Sequence, residues 1–107
     1  MGRSAKRAPP APSEGYLAEM RDALRIAGTD FDGELASLIR AARCDLALCG
    51  VRPELVKDET DPLIKRAVTT YVKAEFGLDN ADADKYRAAY GRMKIALGVA
   101  AEYIVEG

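Results

Sequence analysis

The sequence contains no histidine and no tryptophan, and only two of its 107 residues are cysteines. Without histidine a Ser-His-Asp or Cys-His relay cannot form, and the most common general base near neutral pH is missing. Cys44 and Cys49 alone are too few ligands for a zinc site. We therefore predict a protein that is not an enzyme and binds no metal or cofactor. We expect both cysteines to be buried, reduced thiols.

The chain also lacks an excess of charge and a long apolar run. Its 16 Lys and Arg residues face 17 Asp and Glu residues, so the net charge favours neither nucleic acid nor a membrane surface. No apolar stretch reaches the roughly 18 residues that a membrane span needs, and no signal-peptide core is present. We expect a cytoplasmically made protein without a membrane partner. Its length permits one domain with a modest core, which oligomerisation would help to stabilise.

Residues 1–14 differ in composition from the rest of the chain. Pro9, Pro10 and Pro12 disfavour a helix, and the segment offers little apolar surface to bury. We predict a disordered, basic, Pro/Ala-rich arm at 1–14 and one helical domain at 15–107. The arm carries three basic residues against one acidic residue. Two interpretations are open: it contacts DNA or an acidic partner, or it is simply an unstructured terminus.

The remaining chain shows the three- and four-residue apolar spacing of amphipathic helices. We predict an all-α fold of four helices, three of them ended by glycine at positions 28, 50 and 77. Thr29 or Asp30 is the expected cap of the second helix. Asp61 followed by Pro62 is a strong start signal for the third helix. The loop at 50–61 has room for one further helical turn, PELVK. The expected apolar stripes consist of Leu17, Met20, Leu24, Phe31, Leu35, Leu38, Ile39, Ala42, Leu46, Cys49, Leu63, Ile64, Ala67, Val68, Tyr71, Val72, Phe76, Tyr86, Tyr90, Met93 and Leu97.

The stretch GLDNADADKY, residues 77–86, places several acidic and amide side chains close together. A calcium loop of the EF-hand type beginning at Asn80 would need glycine sixth and glutamate twelfth, but lysine and glycine stand there. A catalytic carboxylate pair would need burial of one partner, whereas a polar turn keeps aspartates ionised. We interpret the stretch as a turn in which Asn80 or Asp82 caps the fourth helix and Asp84 complements its positive end.

Two stretches of the sequence resemble one protein family. They are LRIAGTDFDGELASLIRAARCDL, residues 24–46, and TDPLIKRAVTTYVKAEFGLDNADADKYRAAYGRMKIAL, residues 60–97. In this order they are similar to the head–tail connector (adaptor) proteins of long-tailed bacteriophages, also labelled DNA-packaging proteins. The resemblance covers about residues 16–103. The specificity of the resemblance comes from the ordered combination of the two stretches, because no single piece is a catalytic signature. The arm at 1–14 has no counterpart in the family.

The resemblance implies a structural virion protein, made in the host bacterial cytoplasm and located in the neck of the phage or prophage particle. Such a protein assembles as a ring beneath the portal, extends the DNA channel and joins the capsid to the tail. The implied partners are copies of itself, matching the portal symmetry, the portal protein, and the next neck or tail-completion protein. DNA in the channel would make transient, non-specific contacts. A ring requires two different surface patches that meet head to tail.

Two groups of residues are candidates for such an interface. Tyr71 and Phe76 are large enough that a small core would leave part of them exposed as anchors, although both also suit an ordinary core. Gly91, Ile95 and Gly98 lie along one side of the fourth helix. The two glycines would let another helix approach closely, from within the chain or from the next subunit.

The C-terminal segment AEYIVEG, 101–107, is a third candidate. Tyr103, Ile104 and Val105 make it apolar enough to add an extended strand or plug to a partner by backbone pairing. The family resemblance implies a contact with the portal for this region. Terminal fraying is the competing interpretation.

A small helical nucleic-acid-binding regulator is the alternative function. It would use the basic arm and a helix-turn-helix built from residues 17–46, joined by the short turn AGTD. The second helix of that unit begins with Phe31, Asp32 and Glu34. Acidic residues at this end would face DNA phosphates unfavourably, which favours the connector interpretation.

Overall fold

The computed structural model describes residues 9–77 and 79–105, so the first eight residues of the predicted arm lie outside the described part. The described chain forms the helices α1 (Glu14–Leu24), α2 (Asp32–Leu48), α3 (Pro53–Val56), α4 (Pro62–Glu75) and α5 (Ala83–Gly98). The all-α prediction is confirmed. The four long helices correspond to the predicted ones, and the PELVK turn adds α3 as a short fifth helix. No described helix is long and apolar enough to cross a membrane.

Helix α4 is the centre of the fold, because α1, α2 and α5 all pack against it. Its start follows the predicted signal: the Asp61 carboxylate accepts hydrogen bonds from the Leu63 and Ile64 N–H groups at 3.0 and 3.1 Å. Pro62 occupies the first helical position, where its missing N–H has no cost. The apolar stripes of the long helices meet in one core cluster of Tyr16, Met20, Leu35, Ile39, Ala42, Leu46, Val51, Val56, Ile64, Ala67, Val68, Val72, Tyr90 and Leu97.

Several core predictions are wrong. Cys44 and Cys49 are both exposed, because Cys44 lies on the side of α2 that faces away from Leu35 and Ile39, and Cys49 follows the last helical residue. Phe31 and Leu63 are about half exposed at the starts of their helices. A periodic pattern indicates which side of a helix is apolar, but at helix ends it does not indicate how much neighbouring chain covers that side.

Two helix boundaries also differ from the prediction. α1 ends at Leu24, and its C-cap is Arg25 instead of Gly28, with Arg25 in the left-handed conformation at φ 62°. The Ile26 N–H then donates to the Arg21 carbonyl at 2.9 Å, so the chain turns early and Ile26 packs against the core. Phe31, not Thr29 or Asp30, stands at the N-cap of α2 and makes no side-chain cap there.

The turn before α5 contains the acidic stretch that the sequence drew attention to. Asp82 occupies the N-cap position but makes no side-chain cap. The Asn80 side chain instead spans the turn, donating to the Lys73 carbonyl at 2.6 Å and accepting from the Asp82 N–H at 3.1 Å. Asp84 lies in the first turn of α5, where its charge complements the positive end of the helix dipole.

Both ends of the described chain lie against the helical body. The segment 9–13, part of the predicted arm, is non-helical and reaches α2 through its backbone carbonyls. Near the other end, Ile104 forms an isolated antiparallel bridge with Val51. The backbone hydrogen bonds of this bridge are Arg52 N–H to Tyr103 carbonyl and Val105 N–H to Gly50 carbonyl, each 2.8 Å.

Candidate subunit interface

Helix α5 presents an outward side that packs against none of the described residues. Ile95 is 70% exposed, and an added Cβ at Gly91 or Gly98 would meet no atom within 4 Å in the described structure. The close helix approach that these glycines permit is therefore not made within the described chain. Val99, one turn beyond Ile95, is 79% exposed and extends the apolar surface. We name Gly91, Ile95, Gly98 and Val99 the α5 outer face.

The orientation of α5 is fixed by a polar contact with α2. Tyr90 is buried, and its hydroxyl donates to the Asp45 carboxylate at 2.7 Å, while the Lys94 ammonium donates to the same oxygen at 3.0 Å. Burial and the nearby Asp45 charge raise the pKa of Tyr90 above its ordinary value, so it remains a donor. Because Tyr90 and Lys94 bind inward, the neighbouring positions 91 and 95 point outward.

Tyr71 and Phe76 engage in aromatic contacts within the chain. The Tyr71 ring packs edge-on against Tyr90 with the ring centroids 5.2 Å apart, and Phe76 packs in the same way against Phe31 at 5.5 Å. Both are partly buried against the core. Burial raises the pKa of the Tyr71 hydroxyl. Tyr71 and Phe76 are thus separate from the α5 outer face. A partner could reach only the exposed edges of their rings.

Of the three C-terminal candidates, Tyr103 and Ile104 contact the helical body, whereas Val105 is exposed. The Tyr103 hydroxyl lies 3.1 Å from an Asp61 carboxylate oxygen, to which it donates, and the Ile104 carbonyl accepts from the Arg52 guanidinium at 3.1 Å. Both residues are half-buried. Val105 is 57% exposed beyond the bridge. The backbone pairing expected with a partner is therefore made, over one residue pair, with the chain's own Val51.

A buried cation holds the segment 9–13 in place. Arg43 is 2% exposed and donates to the Pro10 carbonyl at 2.9 Å and to the Glu59 carboxylate at 3.2 Å. Glu59 also accepts from the backbone N–H and the hydroxyl of Ser13, which caps α1. Burial raises the pKa of Tyr16, whose ring lies under the Arg43 guanidinium, to about 12, and the Arg43 charge opposes that rise. Sequence reasoning missed this contact because its members are 16 or more positions apart.

A groove along α4 and α5 is the second feature that sequence reasoning missed. Its volume is about 780 Å³, and it lies between α4 and α5. A narrower apolar extension of about 140 Å³ continues it toward the end of α5. The groove is lined by Thr60, Pro62, Leu63, Lys65, Arg66, Thr69, Thr70, Lys73, Tyr86, Ala89 and Met93. Arg66 and Lys73 are two turns apart on α4 and therefore lie on the same side of that helix. This spacing is the sequence signal that could have indicated the basic edge of the groove.

These features define a small helical protein whose surface carries unpaired apolar and basic strips suited to association. A model of the phage connector protein family matches residues 16–104, nearly the whole described chain. The chain therefore belongs to the phage connector protein family. It is a structural virion protein of the head–tail junction, and it associates with other head and tail proteins. No curated protein and no solved structure matched the chain.

Proposed function

We propose that this protein assembles as a ring adaptor beneath the portal, extends the DNA channel and connects the capsid to the next neck or tail-completion protein. The observation that carries the proposal is the α5 outer face. An isoleucine that is 70% exposed beside two glycines with open space is an unusual arrangement for a helix that serves only its own fold. It is well suited to the close approach of a second helix.

A ring needs two different surface patches, and the exposed apolar side chains supply candidates on two helices. Ile95 lies on α5 and Val99 directly follows it, whereas Leu48, 86% exposed, lies at the end of α2. The exposed apolar side chains are therefore not confined to one helix. Two different surfaces that bind head to tail generate a closed ring when the rotation between subunits closes.

We assign the portal contact to the C-terminal segment as part of this proposal. Val105 is exposed directly after the bridge that holds Ile104 against Val51. The bridge fixes where the segment leaves the helical body, so its exposed end has a defined position for docking. Tyr71 and Phe76, with their edges partly exposed, would contribute to contacts on the side of the ring that meets the next neck component.

DNA in the channel would meet a surface of mixed charge. Many basic side chains are paired with acids, for example Arg87 with Glu75 and Asp84 at 3.1 Å. Paired cations give weak, sequence-blind attraction, which suits DNA that must move through. The regulator alternative is less well supported, since Asp32 in the first turn of α2 is engaged by Arg21 at 2.7 Å and Glu34 is exposed beside it.

Assembly measurements test the proposal. We expect sedimentation velocity and negative-stain electron microscopy to detect closed rings at high protein concentration or after addition of the portal protein of the same phage. Ile95→Lys places a charge on the α5 outer face and should leave the chain monomeric with an unchanged circular dichroism spectrum. Ala81→Lys, an equal change in the turn before α5, should assemble normally. Monomers under every condition, with the portal protein included, would contradict the proposal.

A further inference from the structure

The groove between α4 and α5 combines an apolar floor with a basic edge. Leu63 and Met93 contribute apolar surface, and the extension is lined mainly by apolar side chains of α5. Arg66 is exposed and forms no ion pair with the described residues, while the Lys73 ammonium lies over the Tyr86 ring, 5.7 Å from its centroid. Such a groove favours an apolar protein segment with carboxylates beside it, because a DNA backbone offers phosphates but no side chain to fill the floor.

A segment with this chemistry lies at the start of α2. Phe31 is 48% exposed, an unusual state for an aromatic ring in a small domain. Asp30 and Glu34 flank it, and both are exposed and free of ion pairs with the described residues. We name Asp30, Phe31 and Glu34 the acidic corner. Asp32 does not take part, because its carboxylate is held by Arg21.

The groove and the acidic corner are formed by different residues of one molecule, the groove by α4 and α5 and the corner by the start of α2. α4 directs its buried residues, including Val68 and Val72, into the core that it shares with α2. Arg66 and Lys73 are directed away from that core into the groove. Because the two surfaces consist of different residues, a contact between the corner of one copy and the groove of the next is head to tail.

We infer that the acidic corner of one copy docks in the α4–α5 groove of the next copy. Phe31 fills the apolar part of the groove beside Leu63 and Met93, and Asp30 and Glu34 face Arg66 and Lys73. This inference rests on the proposed ring and names the two surfaces that build it. The occupant is a second copy because the corner supplies both properties that the groove demands, an exposed apolar ring and free carboxylates.

Site-directed crosslinking tests the pairing. The background is the full chain with Cys44→Ser and Cys49→Ser, because both native thiols are exposed and would react. Into it, Glu34→Cys and Arg66→Cys are introduced together, and a short bis-maleimide is added under the conditions of ring assembly. We expect a ladder of dimers, trimers and larger covalent species, because each copy carries one corner and one groove. Glu54→Cys with Arg66→Cys is the matched control and should give no ladder.

The outcomes separate this inference from the proposed ring. Rings that form without a 34–66 ladder overturn the docking inference and leave the proposed function standing. Crosslinking that stops at dimers also overturns it, because it indicates a two-fold contact. The absence of any oligomer, with or without the portal protein, contradicts both. Loss of the ladder on addition of duplex DNA at low salt overturns the assignment by showing that the groove takes nucleic acid.

Charge reversal provides a second readout without cysteines. Glu34→Arg and Arg66→Glu should each weaken subunit association by roughly three- to fivefold, since each places like charges together. The double variant restores opposite charges and should recover most of the association. Lys57→Glu, an exposed change on the loop before α4, is the control. Equal loss in the double variant and in the singles would overturn the pairing of these two residues.

Discussion

The Tyr90 hydroxyl donates a hydrogen bond of 2.7 Å to the Asp45 carboxylate and thereby joins α5 to α2. Both helices pack on α4, so this bond closes a triangle of three helices. Lys94, one turn after Tyr90, donates to the same carboxylate oxygen. Together the two donors determine how α5 is rotated about its axis. They thereby determine that Ile95 and the two glycines face outward.

Removal of this bond should destabilise the fold. We expect Tyr90→Phe to lower the free energy of unfolding by about 1–2 kcal/mol, because the buried ring is kept but the Asp45 carboxylate loses its closest donor. Urea unfolding followed by circular dichroism measures the change. Tyr86→Phe on the same helix is the control, because the Tyr86 hydroxyl makes no hydrogen bond to the described residues, and its effect should be within about 0.5 kcal/mol. Equal losses in the two variants would contradict the role of the bond.

Acid should weaken the fold through Asp45 and Glu59. Partial burial alone would raise the pKa of each carboxyl, but hydrogen bonds from Tyr90 and Lys94 to Asp45, and from Ser13 and Arg43 to Glu59, outweigh it and lower both values. A carboxyl whose pKa is lower in the folded state contributes stability at neutral pH. That contribution is lost as the pH falls from about 4 through the depressed folded-state pKa.

The measurement is the free energy of unfolding between pH 7 and pH 2. We expect a decline below about pH 4, and a shallower one in Asp45→Asn and in Glu59→Gln, each of which removes one titrating group. Asp79→Asn, at an exposed position of the turn before α5, is the control and should retain the slope of the unaltered chain. An unaltered slope in both test variants would show that neither carboxyl is linked to folding.

The parts of the fold that local chemistry controls could be predicted from the sequence. Asp61 and Pro62 start α4 as expected because the cap involves N–H groups only two and three residues away. The apolar spacing likewise identifies Leu35, Ile39 and Leu46, which are all fully buried. These signals act within one helix, so no knowledge of the neighbouring helices is needed.

The parts that depend on tertiary contacts could not be predicted. Arg25 adopts a conformation that favours glycine, α1 ends before Gly28, and the partly buried Ile26 packs against the core. The exposure of Cys44 depends on which side of α2 faces α4, and the Arg43–Glu59 contact depends on the path of the loop before α4. The α5 candidates could be proposed from spacing, but the open space beside Gly91 becomes visible only when the packed helices are compared.

Arg43 should be the most sensitive charged position in the chain. Arg43→Ala removes a buried guanidinium that binds Pro10 and Glu59 and lies 5.6 Å from the Tyr16 ring centroid. We expect a loss of about 2–4 kcal/mol in the free energy of unfolding, because the partners are left unpaired and a cavity is created. Thermal and urea unfolding measure it.

Arg40→Ala is the matched control for this change. Arg40 is exposed and makes one bond of 3.2 Å, from its Nε to the Pro9 carbonyl. Its loss should be at most about 0.5 kcal/mol. A similar small effect for Arg43→Ala would show that the segment 9–13 does not depend on the buried cation.

Gly91→Ala should separate folding from assembly, because it affects the two in opposite directions. Gly91 lies inside α5 with open space around its Cα, so alanine raises helix propensity and should stabilise the isolated chain by about 0.5–1 kcal/mol. In a ring that uses the α5 outer face, the added methyl group keeps the neighbouring helix at a distance and association weakens. Thermal unfolding and sedimentation velocity on the same samples measure both effects.

Gly15→Ala in the first turn of α1 is the control and should leave association unchanged, because the α5 outer face is untouched. A Gly91→Ala chain that is more stable and assembles as well as the unaltered chain would exclude a close helix contact at this face, since a tightly packed neighbour has no space for the methyl group.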